Sequence, residues 1–211
     1  MARRRDQALR REQLTEAARR MIVRHGGDGV RVERIAEAAG VSPNTVRYYY
    51  GDLDELVEEV HRRAIGRFYA ARLATLERIE DPVERLAATI RGGVPTGADD
   101  EDWVVLSETY HAARRSRLQL ALMNALYHQQ VALYLALLEA GAACGAFALR
   151  ETPITIARTL VALEDKLGLL VIWRDAIVGR EEALRLLWAY ARLATGVDPE
   201  RLTAAAPRSS P

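Results

Sequence analysis

Apolar residues recur along this chain at helical rather than strand spacing. Leu14, Ala17, Ala18, Met21 and Ile22 fall at i, i+3, i+4, i+7 and i+8, one stripe of a helix expected over Gln7–His25 and stopped by Gly26-Gly27. Val32, Ile35, Ala36 and Ala39 mark a short second helix, closed by Gly40. Ser42 as N-cap and Pro43 at the first helical position open a third, running to about Tyr50. Gly51 breaks it, and Asp52 caps a long fourth helix expected from Leu53 to Arg78. Further helices are expected from Pro82 to Gly92, Trp103 to Arg114, Ser116 to Ala140, Pro153 to Val178 and Glu181 to Ala194. A basic arm, Met1–Arg5, precedes them, and a frayed tail follows. No alternating Val/Ile/Thr-rich run competes, so the expected fold class is all-α.

Charge adds an asymmetry to this picture. Residues 1–50 carry eleven Arg against six Asp or Glu, whereas the whole chain of 211 residues nets only +1. A basic front on a neutral to acidic body suits a nucleic-acid-binding end, and equally a solvated basic helix. Cys144 is the only cysteine, so an intrachain disulfide and a cysteine-based zinc site are both excluded. No apolar run reaches membrane-spanning length, and no targeting segment opens the chain, so a cytoplasmic protein is expected.

The second and third helices, joined by a Gly-containing turn, form a helix-turn-helix pattern. Ala36 lets the two helices approach, Gly40 permits a left-handed turn, and Val41 plugs the angle between them. Three tyrosines, Tyr48, Tyr49 and Tyr50, close the third helix. Successive helical residues point roughly 100° apart, so they cannot share one core. Val46 and Tyr50 form the anchoring stripe, which turns Asn44, Thr45, Arg47, Tyr48 and Tyr49 outward. Such a set offers guanidinium and hydroxyl groups to phosphate, and polar side chains to base edges.

The run I-A-E-A-A-G-V-S-P-N-T-V-R-Y-Y-Y-G-D-L-D-E-L resembles the N-terminal signature of the TetR family of bacterial transcriptional regulators, over residues 15–60. The resemblance implies an N-terminal three-helix DNA-binding domain (1–51), a larger helical ligand-binding and dimerisation domain (52–200), and a flexible tail (201–211). It places Thr45 at a phosphate-binding position, Tyr49 at a backbone contact, Tyr48 at a groove-facing position and Tyr50 at a buried aromatic one. Arg47 stands where the family usually has tyrosine, and Asn44 where it often has glycine. Arg31 stands near the usual cap of the second helix, and Leu53 replaces a lysine that often clamps phosphate. Arg31, Ser42, Pro43, Asn44, Thr45, Arg47, Tyr48 and Tyr49 are therefore the candidate DNA-facing residues. Through A-L-E-D-K-L-G-L (162–169), the C-terminal half also resembles the betaine-regulator type.

Polar or aromatic groups interrupting apolar faces nominate Trp103, Tyr110, His111, Met123, Tyr127 and Trp173 for a small-molecule site. Ordinary core packing is the competing reading for each. Glu164 and Asp165 are either a polar anchor, an exposed pair or partners of arginine. Leu160, Leu163, Leu167, Leu184, Leu187 and Trp188 exceed what one protomer's core needs; the resemblance assigns them to a two-fold dimer interface. No nucleophile–base pair, metal cluster or phosphate loop stands out, so neither an enzyme nor a cofactor or metal is expected. The expected function is a dimeric, effector-released repressor on a pseudo-palindromic operator in double-stranded DNA. A helical interaction protein that has lost DNA binding is the alternative.

Overall fold

The computed structural model describes residues 2–113 and 116–197, with the side chains of residues 2–4, 109 and 111 left out. Within them, nine α-helices follow one another: α1 (Ala2–His25), α2 (Val32–Ala39), α3 (Pro43–Tyr49), α4 (Leu53–Leu76), α5 (Pro82–Gly92), α6 (Glu101–Ala113), α7 (Arg117–Ala143), α8 (Pro153–Ile172) and α9 (Arg180–Thr195). A single 3₁₀ turn, Gly27–Gly29, lies between α1 and α2. None of these helices is long and apolar enough to cross a membrane. The expected tail, 201–211, lies outside the described residues.

Short-range chemistry explains four helix starts. Ser42 Oγ accepts from the Thr45 N–H at 3.2 Å, Asp52 Oδ1 from Glu55 at 2.8 Å, Asp81 Oδ2 from Glu84 at 3.0 Å and Thr152 Oγ1 from Thr155 at 3.4 Å. Glu55 reaches back to the Gly51 N–H at 2.9 Å, closing the α3–α4 corner. Gly40 ends α2 at φ 64°, a left-handed conformation that glycine adopts without strain.

Three boundaries differ from the sequence expectation by three residues or more. α1 begins at Ala2 rather than Gln7, because the preceding residues contain no helix breaker even though the apolar stripe starts only at Leu14. α7 runs through Gly141 to Ala143. That glycine makes room rather than a stop: a Cβ there would lie 2.1 Å from the Phe147 ring. α8 ends at Ile172, six residues before Val178. Beyond it, Arg174 turns left-handed (φ 56°), and Asp175 Oδ1 accepts from the Ile177 and Val178 amides at 2.8 and 2.9 Å. A side-chain-closed turn thus outcompetes the helix.

Packing divides the chain into two compact units, Met1–Arg67 with Glu101–Met123 and Phe68–Asp100 with Asn124–Pro211. In the first, Leu14, Ala18, Ile22, Ile35, Val46, Tyr50, Leu56 and Val60 are buried. In the second, Leu86, Ile90, Tyr134, Leu138, Ile156, Leu160 and Leu187 form the centre of one apolar cluster.

Candidate nucleic-acid interface

α3 is seated from beneath by Val46 and by Tyr50, the residue that follows it. Tyr50 is 1% exposed, and its hydroxyl shares a hydrogen bond with Thr15 Oγ1 at 2.8 Å and donates to the Arg11 carbonyl at 3.4 Å. The Arg11 guanidinium lies 4.3 Å from the Tyr50 ring centroid. Burying a phenol demands such a partner. Sequence reasoning missed both Thr15 and Arg11, because no local pattern signals a partner 35 residues away.

With that side fixed, Asn44, Arg47 and Tyr48 are exposed, while Thr45 and Tyr49 are half-buried. Tyr48 is 70% exposed, and its ring meets Tyr49 edge to face, with centroids 5.1 Å apart. Holding two phenols against each other orders them before any ligand arrives. Ser42 Oγ lies 2.9 Å from Thr45 Oγ1, so the cap and the expected phosphate-binding hydroxyl belong to one small network. Pro43 is half-buried at the first helical position.

Two cations are already engaged. Arg47 NH2 lies 3.3 Å from Glu33 Oε1 on α2, a partner the sequence did not suggest. Arg31, at the N-cap of α2, makes no side-chain cap; its NH1 donates instead to the Asp28 and Val30 carbonyls at 2.8 and 2.7 Å. It fastens its own loop. Leu53 stands half-buried as the first residue of α4.

Residues 14–60 match the family model of bacterial regulatory proteins, tetR family. Over this segment the chain carries the N-terminal signature of the TetR family. It is also similar to the HTH-type transcriptional regulator BetI of Brucella anthropi, 39% identical over 82 residues, which are 39% of this chain and 42% of that protein. The chain thus spans under half the length of this curated relative. Two solved structures share the fold over nearly their whole length. One, a protein of Saccharomonospora viridis in complex with choline, has a TM-score of 0.80, 24% identity and coverage of 86% of this chain and 95% of that one. The other, a TetR transcription regulator of Haloarcula marismortui, has a TM-score of 0.79, 21% identity and coverage of 89% and 99%.

The six residues nominated for a small-molecule site divide between the units. Trp103, Tyr110 and Met123 belong to the first; the His111 side chain lies outside the described residues. Trp103 is buried and Tyr110 is exposed. Tyr127 packs against the core of the second unit. Trp173 is 56% exposed because α8 ends just before it, and the Lys166 ammonium lies 4.9 Å from its ring centroid.

Four of the six residues nominated for a dimer interface are enclosed in this chain's own core. Leu160 and Leu187 have no exposed surface, and Leu167 and Leu184 almost none, because α8 and α9 pack together and use these leucines in their own core. Leu163 and Trp188 remain half-buried, and Leu193 on α9 is largely exposed.

Glu164 resolves in favour of pairing with arginine. Fully buried, it faces Arg72 through contacts of 3.1 and 3.2 Å, and Tyr134 donates its hydroxyl to the same carboxylate. Arg72 also donates to Gln130 Oε1 at 2.8 Å and to the Thr89 carbonyl at 3.0 Å. Its guanidinium lies 5.5 Å from the ring centroids of Phe68 and Tyr134. Burial, the largest single influence, disfavours the charged guanidinium, but Glu164 and Tyr134 together outweigh it and hold Arg72 protonated.

Proposed function

We propose that this chain is a dimeric, sequence-specific DNA-binding transcriptional regulator, acting as a repressor that a small-molecule effector releases from a pseudo-palindromic operator. The observation that carries this reading is the split of α3 into two sides. Val46 and Tyr50 are spent on the core, while Asn44, Arg47 and Tyr48 stand exposed and Thr45 and Tyr49 half-exposed beside them. A helix anchored this firmly, with its remaining polar groups turned out, suits insertion into a major groove. Arg47 supplies a bidentate donor for phosphate or guanine, Tyr48 and Tyr49 supply hydroxyls, and Ser42 with Thr45 lie at the N-terminal end of α3, where backbone N–H groups favour phosphate.

Two-fold pairing through the outward sides of α8 and α9, where Leu163, Trp188 and Leu193 keep surface, would set two such helices on successive half-sites. An effector that prefers a different arrangement from the one DNA selects lowers DNA affinity by the same factor that DNA lowers its own. The choline bound by the Saccharomonospora neighbour supports a small molecule as the effector class.

Mobility-shift titration against the DNA upstream of the coding region tests this reading. Wild-type protein is expected to bind with steep salt dependence, and Arg47→Ala with Tyr49→Ala to weaken it at all salt concentrations. Absence of binding at low salt, or unchanged affinity in the double variant, would leave a helical interaction protein instead.

A further inference from the structure

Within the first unit lies a cavity of about 470 Å³, bounded by the α1–α2 loop, the first turns of α4, and residues of α6 and α7. Among the described residues its walls carry four carboxylates, those of Asp28, Asp54, Glu58 and Glu108, and neither an arginine nor a lysine. Glu108 Oε2 accepts the Gly27 N–H at 2.9 Å, and Glu58 Oε1 accepts the Ser116 hydroxyl at 2.9 Å. Both carboxylates are thereby positioned, and each keeps a second oxygen.

His61 on α4 also lines this space and is 1% exposed. Its Nδ1 lies 3.0 Å from Gln119 Oε1. An amide oxygen only accepts, so Nδ1 carries the hydrogen and Nε2 holds a bare lone pair. That Nε2 is buried with no hydrogen-bond partner. Burial also pushes the imidazole below its ordinary pKa, which keeps the ring neutral and Nε2 an acceptor. A buried acceptor without a donor is unfavourable, so the site favours whatever brings one.

We propose that this cavity binds a small protonated aliphatic amine, whose N–H groups satisfy His61 Nε2 and the Glu58 and Glu108 carboxylates while its methylenes lie along Leu53 and Val57. Every polar group just named is an acceptor, which selects a cation carrying donors. A quaternary ammonium brings charge but no N–H, and among the described residues the lining holds no Phe, Tyr or Trp to cage it. Metal chelation is the weaker fit, because among the described residues no three His, Cys, Asp or Glu side chains converge as ligands. The volume falls within the usual range for small-molecule sites.

The lining also brackets the helix-turn-helix. Gly26, Gly27 and Asp28 precede α2, and Leu53 and Asp54 begin α4 just after α3. An amine tying loop to helix therefore fixes the spacing of both ends of that motif. This consequence rests on the DNA-binding reading above; the binding itself does not.

The full chain is titrated with 1,4-diaminobutane, and with tetramethylammonium and sodium chloride at matched ionic strength, by thermal shift and calorimetry. Expected are a concentration-dependent rise in Tm with the diamine alone, and a displacement of the ¹⁵N resonance of His61 Nε2 while Nδ1 stays protonated. Glu58→Gln with Glu108→Gln should weaken binding by roughly tenfold or more. No response to the diamine, an equal response to tetramethylammonium, or undiminished binding in the double variant overturns the proposal. The wild-type arms decide it even where that variant fails to fold. A diamine response that persists in a protein with no DNA affinity overturns the DNA reading and supports this one.

Discussion

Two arginine–glutamate pairs occupy opposite environments. Arg47 and Glu33 touch through one contact of 3.3 Å, with side chains 52% and 66% exposed, whereas Arg72 and Glu164 meet through two contacts with side chains 1% and 0% exposed. At the surface, water solvates either partner alone, so such a pair contributes about 0–1 kcal/mol and gives up its arginine cheaply. In the interior, each charge depends on the other. The same two side chains thus make a releasable contact on the candidate DNA face and a fixed one in the second unit. Gly93 belongs to the fixed one: a Cβ there would lie 1.9 Å from Glu164 Oε1, so the approach of the carboxylate requires glycine.

The largest effect is expected from breaking the buried pair. Glu164→Gln leaves the Arg72 charge without its counter-ion and should cost about 3–5 kcal/mol, a fall in Tm on the order of 10 °C. Replacing both partners by apolar residues, Arg72→Met with Glu164→Leu, should restore most of that stability in thermal and urea unfolding. A double variant as unstable as the single one would mean that the network is held by packing rather than by charge.

Tyr50 is an intermediate case, buried yet directly beneath the candidate DNA face. Tyr50→Phe keeps the ring and removes the hydrogen bonds to Thr15 and the Arg11 carbonyl. A loss of about 1 kcal/mol in unfolding free energy is expected, since Thr15 retains its own bond to the Arg11 carbonyl at 2.8 Å. DNA affinity should change little, because the helix remains seated by its ring.

The seat of α3 was legible in the sequence because its signals are local. Ser42, Pro43, Val46 and Tyr50 act within two turns, and helical angle alone separates Tyr50 from Tyr48. Distant partners left no such trace. Arg72 and Glu164 are 92 residues apart, and His61 and Gln119 are 58 apart, so no periodicity joins them. The overrun of α8 had another cause. Apolar periodicity continues through Ile177 and Val178, but the Asp175 carboxylate captures their amides, and a side chain that closes a turn is invisible to a hydrophobic pattern. Leucines in excess of a core likewise cannot be counted from sequence. α8 and α9 face each other, and Leu160 and Leu187 are consumed between them.

The smallest effect on stability, and the most informative about the surface pair, should come from Glu33. In the free chain its carboxylate holds one guanidinium nitrogen of Arg47, so DNA must displace that contact before Arg47 can donate bidentately. Glu33→Ala removes the competitor and a negative charge from the candidate interface. Stability should change by less than about 0.5 kcal/mol, because both side chains are solvated. DNA affinity should rise, and most strongly at low salt, where unscreened repulsion between Glu33 and phosphate is greatest. Arg47→Ala should have the opposite effect on binding, lowering the slope of log affinity against log salt by about one, again with little change in Tm. Measured together, the two variants separate the roles of the pair. If Glu33→Ala strengthens binding only while Arg47 is present, the glutamate acts by holding the arginine; if it strengthens binding equally in the Arg47→Ala background, it acts by its own charge on the phosphates.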